Sequence, residues 1–199
     1  MATGPRPVAG LLLAAGGGSR LGGRPKALLP FRGRPLVEHG LRLLRDGGCA
    51  EVVVVLGAAA DQVLADADLG AARVVRNTEW ETGMGSSLRA GLAALPEDAS
   101  AAVVALVDMP GAGGAAVARL VEEHLVRGAE LAAASYDGRR GHPVLFASRW
   151  WRDIAAEAQG DAGARGFLAA HAASLRLVEC GDVAEAYDVD TPEDLGRLC

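Results

Sequence analysis

A glycine-rich segment near the N-terminus combines exposed backbone N–H groups with two cations. Gly16, Gly17 and Gly18 follow an apolar run, and Arg20 and Lys26 come soon afterwards. Glycine turns leave their N–H groups open to an anion and let a phosphate approach the backbone closely. Nearby cations neutralise a polyphosphate. The segment therefore predicts a phosphate-binding loop, and the alternative is an ordinary flexible loop.

Lys26 is the single lysine in the chain, since the other 19 of its 20 basic residues are arginine. Lysine carries a compact point charge, whereas arginine carries a planar fork, and the two are not equivalent at a phosphate. Because arginine occupies the other basic positions, the presence of a lysine at position 26 indicates a specific function. The alternative is that this one lysine is retained by chance.

Two other phosphate-binding motifs do not fit this loop. A P-loop requires G-x-x-x-x-G-K-[ST], but Lys26 lies between Pro25 and Ala27 and has no hydroxyl after it to bind Mg²⁺. A dinucleotide fingerprint needs a third glycine where Leu21 stands, and it opens directly into a helix, which Pro25 opposes.

Polar residues at the ends of other apolar runs are further candidates. Asp108 ends one run, where a carboxylate would face the crevice that binds ligands in open α/β sheets. Asn77, the only asparagine, ends another run and could contact a base or ribose, or simply form a turn. Ser86 and Ser87 open a predicted helix, which one of them could cap. His142 enters a predicted strand, where a lone histidine often has a structural role.

These residues belong to a chain in which apolar runs alternate with helical patterns. The predicted strands of the first half are Val8–Ala15, Glu51–Gly57, Ala72–Asn77 and Ala101–Asp108. The predicted helices between and after them are Pro35–Asp46, Ala58–Asp66, Ser86–Leu95 and Gly113–Arg127. Such alternation predicts a parallel sheet with helices on both faces.

The second half adds a predicted β-hairpin. Its strands are Leu131–Tyr136 and His142–Ala147, and Asp137-Gly138 is the turn signal. Later elements are helices at Arg149–Ala158 and Gly163–Ala172, strands at Ser174–Cys180 and Tyr187–Asp190, and a last helix capped by Thr191. We expect one domain, residues 1–199: a Rossmann-like α/β fold with a mostly parallel sheet and a hairpin elaboration.

Composition limits the possible partners. The net charge of −5 argues against a basic nucleic-acid surface, and no apolar run approaches the roughly 18 residues that span a bilayer. The apolar stretch after Arg6 runs into the glycine loop rather than a cleavage site, so we expect no signal peptide. Cys49, Cys180 and Cys199 form no ligand cluster, which favours a reducing cytoplasm.

The loop resembles the signature of pyrophosphorylase-type nucleotidyltransferases, Leu-Ala-Ala-Gly-x-Gly-x-Arg followed by Pro-Lys, and the chain as a whole resembles the MobA-like family among them. The matching segments are Leu13-Ala14-Ala15-Gly16-Gly17-Gly18-Ser19-Arg20, Pro25–Pro30, Asn77–Trp80, Gly83–Leu88, Asp108-Met109-Pro110, Gly141-His142-Pro143, Gly160–Arg165 and Asp188–Asp194. They run in order along nearly the whole chain. The resemblance implies Mg²⁺-dependent transfer of a nucleotide from a nucleoside triphosphate to a phosphate-bearing acceptor.

The same resemblance assigns a nucleotide site, in which Arg20, Lys26 and Asp108 are catalytic. The residues implied to bind the nucleotide are Leu13, Ala14, Ala15, Gly16, Gly17, Gly18, Ser19, Arg20, Lys26, Asn77, Ser86 and Ser87. Ala14-Ala15-Gly16 is similar to the cytidylyl branch of the family, whereas the guanylyl branch has Ala-Gly-Gly, so CTP is the expected donor. Met109 departs from the glutamine that many members of that branch carry.

Metal and acceptor residues also follow from the resemblance. It implies Asp108 and Asp190 as Mg²⁺ ligands; Asp188 would share a strand face with Asp190, so spacing alone does not choose between those two. His142 and Arg165 are implied to bind the acceptor. Its phosphate is already ionised near neutral pH, so no catalytic histidine is required.

The implied acceptor is molybdopterin or the molybdenum cofactor, and a molybdoenzyme or its chaperone is the implied protein partner. Three alternatives stay open. The donor could be GTP, the acceptor could be a sugar or alcohol phosphate, or the chain could bind nucleotide or cofactor without any chemistry. Retention of Lys26, Asp108 and Asp190 disfavours the last of these.

Overall fold

The computed structural model describes residues 6–198, so Cys199 lies outside the described residues. The strands in that range are β1 Val8–Ala14, β2 Pro30–Phe31, β3 Arg34–Pro35, β4 Val52–Leu56, β5 Arg73–Arg76, β6 Ala101–Leu106, β7 Leu131–Tyr136, β8 Arg139–Ala147 and β9 Leu175–Glu179. The α-helices are α1 Leu36–Asp46, α2 Ala60–Asp66, α3 Met84–Ala93, α4 Gly114–Leu125, α5 Trp151–Glu157 and α6 Arg165–Ala170. None of the described helices is long and apolar enough to cross a membrane.

Seven strands form the central sheet in the order β5-β4-β1-β6-β8-β7-β9. The pairs β5–β4, β4–β1, β1–β6 and β7–β9 are parallel, whereas β8 runs antiparallel to both of its neighbours. The predicted mostly parallel α/β fold with a hairpin elaboration is therefore confirmed. The hairpin strand β8 is inserted next to β6, so β7 lies one position further from the centre.

Alternate residues of each strand feed two separate cores. Leu12 of β1 packs with Leu44 of α1 and Val117 of α4 on one face of the sheet. Leu11, its neighbour in the chain, packs with Leu88 of α3 on the other face, in a core that also includes residues of α5 and α6. Burying each such side chain stabilises the fold by roughly 2 kcal/mol. The two covered faces explain why the strands are apolar without interruption.

The C-terminal segment differs from its prediction. Tyr187–Asp190 is not a strand. Its Val189 N–H donates to the Asp108 carbonyl over 2.9 Å, but the next N–H groups, of Asp190 and Thr191, both donate to the Asp194 carboxylate, so no strand ladder continues. Thr191 donates its hydroxyl to the same carboxylate, and the residues after it form a 3₁₀ helix, Pro192–Leu198, rather than an α-helix. The predicted strand is therefore wrong here, whereas the predicted last helix after Thr191 is present as this 3₁₀ helix.

The loop after β6 packs tightly on this C-terminal segment. Glu185 donates its N–H to the Gly111 carbonyl over 3.0 Å. A Cβ at Gly111 would lie 2.4 Å from the Glu185 carbonyl oxygen and 2.6 Å from the Tyr187 ring. These distances are too short for any other residue, so Gly111 fixes the approach of two segments that each carry an aspartate.

We expect Gly111→Ala to lower the free energy of unfolding by about 1–3 kcal/mol, because the added methyl group must displace backbone. Urea unfolding measures this. The matched control is Gly166→Ala in α6, where a Cβ would meet nothing within 4 Å. That change should raise stability by up to about 1 kcal/mol through helix propensity. Equal stabilities of the two variants would contradict the packing described for Gly111.

Candidate active site

The ends of β1 and β6 bring the glycine-rich loop next to Asp108. Leu13 and Leu106 are paired in the parallel register of the two strands, and Val107 donates its N–H to the Leu13 carbonyl over 3.1 Å. The segments after β1 and β6 then leave the sheet at the C-terminal ends of its parallel strands, which is where open α/β sheets bind ligands. The loop and the aspartate were predicted to share a site, and the fold does place them side by side.

The glycine loop curls into a short 3₁₀ turn. Its Gly18 carbonyl accepts the N–H groups of Leu21 (2.8 Å) and Gly23 (3.1 Å). Gly18 has φ +62°, and a Cβ there would lie 1.9 Å from the Arg24 carbonyl oxygen. Gly18 is therefore required by the shape of the loop.

The side chain of Lys26 joins two aspartates that are far apart in the sequence. Its Nζ donates to Asp108 Oδ2 over 2.7 Å and also to Asp190 Oδ1. The Lys26 side chain is only 14% exposed. Burial lowers the pKa of this ammonium, but the two carboxylates outweigh burial, so the net pKa is raised. Arg20 adds a second, exposed cation 3.8 Å from Asp190.

A third carboxylate, Asp188, lies in the same region. Burial raises its pKa, and the charges of Asp108 and Asp190 raise it further against the opposing effect of Lys26. Residues 6–198 contain no group of three or more His, Cys, Asp or Glu side chains that could hold a metal ion by themselves. Asp108 and Asp190, which converge on one cation, are nevertheless the hard oxygen donors that Mg²⁺ takes together with phosphate oxygens.

A first cavity of about 500 Å³ opens beside this ion pair. The predicted nucleotide and metal residues that line it are Leu13, Ala15, Gly16, Arg20, Lys26, Ser87, Asp108 and Asp190. Ala14 faces the opposite core, where it packs with residues of α1. Ser19 is exposed, and Gly17 approaches the Trp80 ring. One part of the predicted nucleotide set thus lines the cavity; Gly17, Gly18 and Ser19 belong to the loop, and Ala14 packs in the core.

Asn77 connects the two serines from behind the cavity. Its Nδ2 donates to Ser86 Oγ (2.8 Å) and Ser87 Oγ (3.0 Å), and its Oδ1 accepts the Glu79 N–H (2.9 Å). The Ser86 hydroxyl is shared between the carbonyls of Glu79 and Gly83. Asn77 and Ser86 are buried and line neither cavity described here. Their geometry favours a structural role, whereas Ser87 faces the first cavity.

A second cavity of about 370 Å³ adjoins the first and contains both predicted acceptor residues, His142 and Arg165. Five residues line the two cavities together: Leu13, Met84, Leu106, Arg165 and Asp188. The ring nitrogen Nδ1 of His142 is buried without a hydrogen-bond partner in residues 6–198. Burial lowers the pKa of His142 to about 4, so the ring is neutral near pH 7.

The structure adds residues that sequence reasoning did not select. Trp80 and Asp161 line the first cavity, and Arg140 and Tyr187 line the second. Trp80 and Asp161 stand inside segments that matched the family pattern, so their position was the available signal. Arg140 gave no signal, because it precedes its segment in an exposed strand end.

Several known proteins are similar to this chain. The chain is 45% identical over 198 residues to nicotine blue oxidoreductase of Paenarthrobacter nicotinovorans, covering 96% of each protein. It is 53% identical over 49 residues to the molybdenum cofactor guanylyltransferase of Xanthomonas euvesicatoria pv. vesicatoria, covering 25% of each. The solved complex of Rv0371c from Mycobacterium tuberculosis H37Rv with manganese superposes with a TM-score of 0.81 at 28% identity, covering 96% of this chain and 97% of that one.

A sequence model of the MobA-like NTP transferase domain matches residues 10–175. The match begins in β1 and ends at the first residue of β9, so it includes the glycine loop, Lys26, Asp108 and the walls of both cavities up to α6. It stops before Asp188 and Asp190, which complete the site from the C-terminal segment. The chain belongs to the MobA-like NTP transferase family of nucleotidyltransferases.

Proposed function

We propose that the protein is a cytoplasmic, Mg²⁺-dependent cytidylyltransferase that transfers CMP from CTP to a phosphate-bearing acceptor. The observation that carries this proposal is the Lys26 ammonium held between Asp108 and Asp190 at the mouth of the glycine loop. The preferred acceptor is molybdopterin or the molybdenum cofactor, and a molybdoenzyme or its chaperone would receive the product. The guanylyltransferase relative, which is named for that cofactor, supports this acceptor.

The reaction forms one P–O bond and breaks another. An oxygen of the acceptor phosphate attacks the α-phosphorus of CTP, and the bond from that phosphorus to the bridging oxygen of the β-phosphate breaks, which releases pyrophosphate. Negative charge builds on the equatorial oxygens and on the leaving group. Two of the three Lys26 N–H donors are used by the aspartates, and the third is left for a phosphate oxygen. Arg20 supplies a second cation from the same loop.

Asp108 and Asp190 are the residues that would hold a divalent cation. Such an ion, when bound, offsets the charge of the triphosphate and its leaving group. The manganese complex of Rv0371c, a relative at 28% identity, supports a divalent metal in this family. Lys26 and the metal would be attracted by the same two carboxylates. Lys26 would therefore hold the two carboxylates close to each other, and a bound metal would share them with the ammonium.

The residues at the end of β1 are the basis for the proposed donor base. Leu13 and Ala15 line the first cavity, and the methyl group of Ala15 narrows it where the guanylyl branch has glycine. A narrower pocket suits a pyrimidine, which is smaller than a purine. GTP is the alternative donor, and the guanylyltransferase relative supports it.

A second candidate function is an oxidoreductase reaction. It is favoured by the 45% identity with nicotine blue oxidoreductase, which extends over 96% of both proteins. On this reading the first cavity would hold a nucleotide reductant and the second an organic oxidant. Consumption of NADH or NADPH in the presence of nicotine blue, without pyrophosphate release from any nucleoside triphosphate, would favour this candidate over nucleotidyl transfer.

We expect CTP with Mg²⁺ to raise the melting temperature more than GTP, ATP or UTP with Mg²⁺. The physical reason is the narrowed pocket beside Ala15. Thermal shift across the four nucleotides measures it. Ala15→Gly should reduce the preference for CTP without inverting it, because other walls also contact the base. An equal or larger shift with GTP would reject the cytidylyl assignment and leave nucleotidyl transfer intact.

Asp108→Asn should lower turnover at least about 100-fold, because the substitution keeps the shape and removes a charge that acts on the metal and Lys26. Pyrophosphate release at saturating Mg²⁺ is the measurement. Asp66→Asn in α2 is the control, since this exposed residue lies outside both cavities and should keep full activity. Near-normal turnover of Asp108→Asn would place the metal on other carboxylates.

Lys26→Arg should reduce turnover by about 100-fold, because a longer, forked cation misplaces its charge by about 1 Å. Lys26→Met should lower turnover more than Lys26→Arg does. In the absence of metal, Lys26→Met should also lower the melting temperature, because Asp108 and Asp190 then repel each other. Adding Mg²⁺ should stabilise Lys26→Met more than wild type, since no ammonium competes for the carboxylates.

The matched control for the lysine is Arg24→Lys, an exposed cation of the same loop that lines neither cavity. It should leave both turnover and melting temperature unchanged. If Lys26→Arg also kept full turnover, Lys26 would not contact the reacting phosphates, and the loop would lose its proposed role.

A further inference from the structure

Trp80 lines the first cavity, but the proposed reaction gives this residue no role. Its side chain lies against two glycines from different parts of the chain. A Cβ on Gly57, which follows β4, would lie 2.6 Å from Trp80 Cβ and 2.7 Å from Trp80 Cγ. A Cβ on Gly17 of the glycine loop would lie 3.3 Å from Cζ3 and from Cη2 of the indole. The base of the Trp80 side chain therefore packs on Gly57, and the far edge of its ring packs on Gly17.

Gly17 is a glycine because of its neighbours rather than its backbone conformation. Its φ lies outside the positive range, in contrast to that of Gly18, so the backbone itself would accept an alanine. The added methyl group would instead meet the indole at 3.3 Å and the Ala58 methyl group at 3.2 Å. Ala58 is itself bonded to the start of the loop, because its N–H donates to the Ala15 carbonyl over 3.2 Å. The missing side chain at Gly17 thus allows the ring to approach the loop closely.

A buried hydrogen-bond network holds the turn that carries Trp80. Asn77 Oδ1 accepts the Glu79 N–H over 2.9 Å, and Asn77 Nδ2 donates to Ser86 Oγ over 2.8 Å. The Ser86 hydroxyl in turn lies 3.0 Å from the Glu79 carbonyl and 2.9 Å from the Gly83 carbonyl. These bonds fix the chain on both sides of Trp80. The position of the indole is therefore set from behind by Asn77 and Ser86, both of which are buried.

We propose that Trp80 is a positioning residue of the nucleotide site, whose ring fixes the glycine loop through Gly17 in the shape that receives a triphosphate. The contact lies one residue from Gly16, which lines the first cavity and where a Cβ would meet nothing within 4 Å. Displacing the loop by about 1 Å is enough to misalign a bound phosphate. This inference rests on the proposed function for the identity of the ligand, but the packing of the ring on the loop does not depend on it.

The test is a size swap between the ring and the loop, measured by calorimetric titration of the intact protein with CTP and Mg²⁺. Trp80→Phe keeps the Cβ and Cγ that contact Gly57 but shortens the ring, so the edge that contacts Gly17 is lost. Gly17→Ala adds a methyl group where the full indole leaves too little space. Each single change should weaken CTP binding at least about fivefold. The double variant should bind at least about threefold more tightly than either single variant, because the methyl group fills the space left by the shorter ring.

Trp151→Phe is the matched control for the loss of an indole. The Trp151 Nε1 donates to the Phe146 carbonyl over 3.0 Å, and Trp151 lines neither cavity. Losing this bond should lower the stability of the fold and leave CTP binding unchanged. Trp151→Phe should also fail to improve CTP binding when it is combined with Gly17→Ala.

Three results would each overturn the proposal. The first is wild-type affinity for CTP in Trp80→Phe, which would show that the contact of the ring edge with Gly17 does not matter. The second is a double variant that binds no more tightly than the single variants, as expected for a ring that stacks directly on the nucleotide. The third is equal weakening of CTP binding by Trp80→Phe and Trp151→Phe, which would reduce both effects to general destabilisation.

Urea unfolding of the same variants without nucleotide separates this inference from the proposed function. The contact between Trp80 and Gly17 should make the double variant more stable than the sum of the two single effects predicts. If that coupling is present but the wild-type protein binds no nucleoside triphosphate, the proposed function fails, and with it the role of Trp80 toward a triphosphate, while the contact itself is confirmed. Normal CTP binding by the wild-type protein without recovery in the double variant would reject the role of Trp80 and leave the proposed function intact.

Discussion

The contact of the Lys26 ammonium with the carboxylates of Asp108 and Asp190 joins three segments that are remote in the sequence. The backbone of each aspartate has its own hydrogen bond. The Asp108 carbonyl accepts the Val189 N–H over 2.9 Å, and the Asp190 N–H donates to Asp194. Placing charges in a half-buried site is unfavourable unless they are paired. The cation that lines the first cavity therefore also holds the walls of that cavity together.

Strand β8 supplies one wall of the second cavity. Because β8 is inserted antiparallel beside β6, its first residues, with Arg140 and His142, lie near the C-terminal ends of the parallel strands. A parallel strand in that place would have presented its other end there. The hairpin thus brings a second group of side chains to the edge where the glycine loop ends. Arg165 and Asp188 line both cavities and lie at the boundary between them.

Local patterns were sufficient to predict the seven strands of the central sheet, most helices and the glycine loop, because short apolar runs and glycine conformations are local properties. The short strands β2 and β3 were not predicted. The strand order was not predictable in this way, since the insertion of β8 beside β6 depends on pairing between distant segments. The strand predicted at Tyr187–Asp190 is absent: after the single backbone bond from Val189 to the Asp108 carbonyl, the Asp190 N–H donates to the Asp194 side chain instead of continuing a ladder. The orphan nitrogen of His142 was equally invisible, since burial is a property of the assembled sheet.

Lys26 and Asn77 show why rarity of a residue type is a weak guide without burial and contacts. Each is the only residue of its type in the chain. The Lys26 ammonium faces a cavity and retains one free donor, so it is available to a ligand. The amide of Asn77 donates to two serines and accepts from Glu79, so it has little capacity left for a base. Its contact with the first cavity is indirect: Asn77 donates to the hydroxyl of Ser87, and Ser87 lines that cavity.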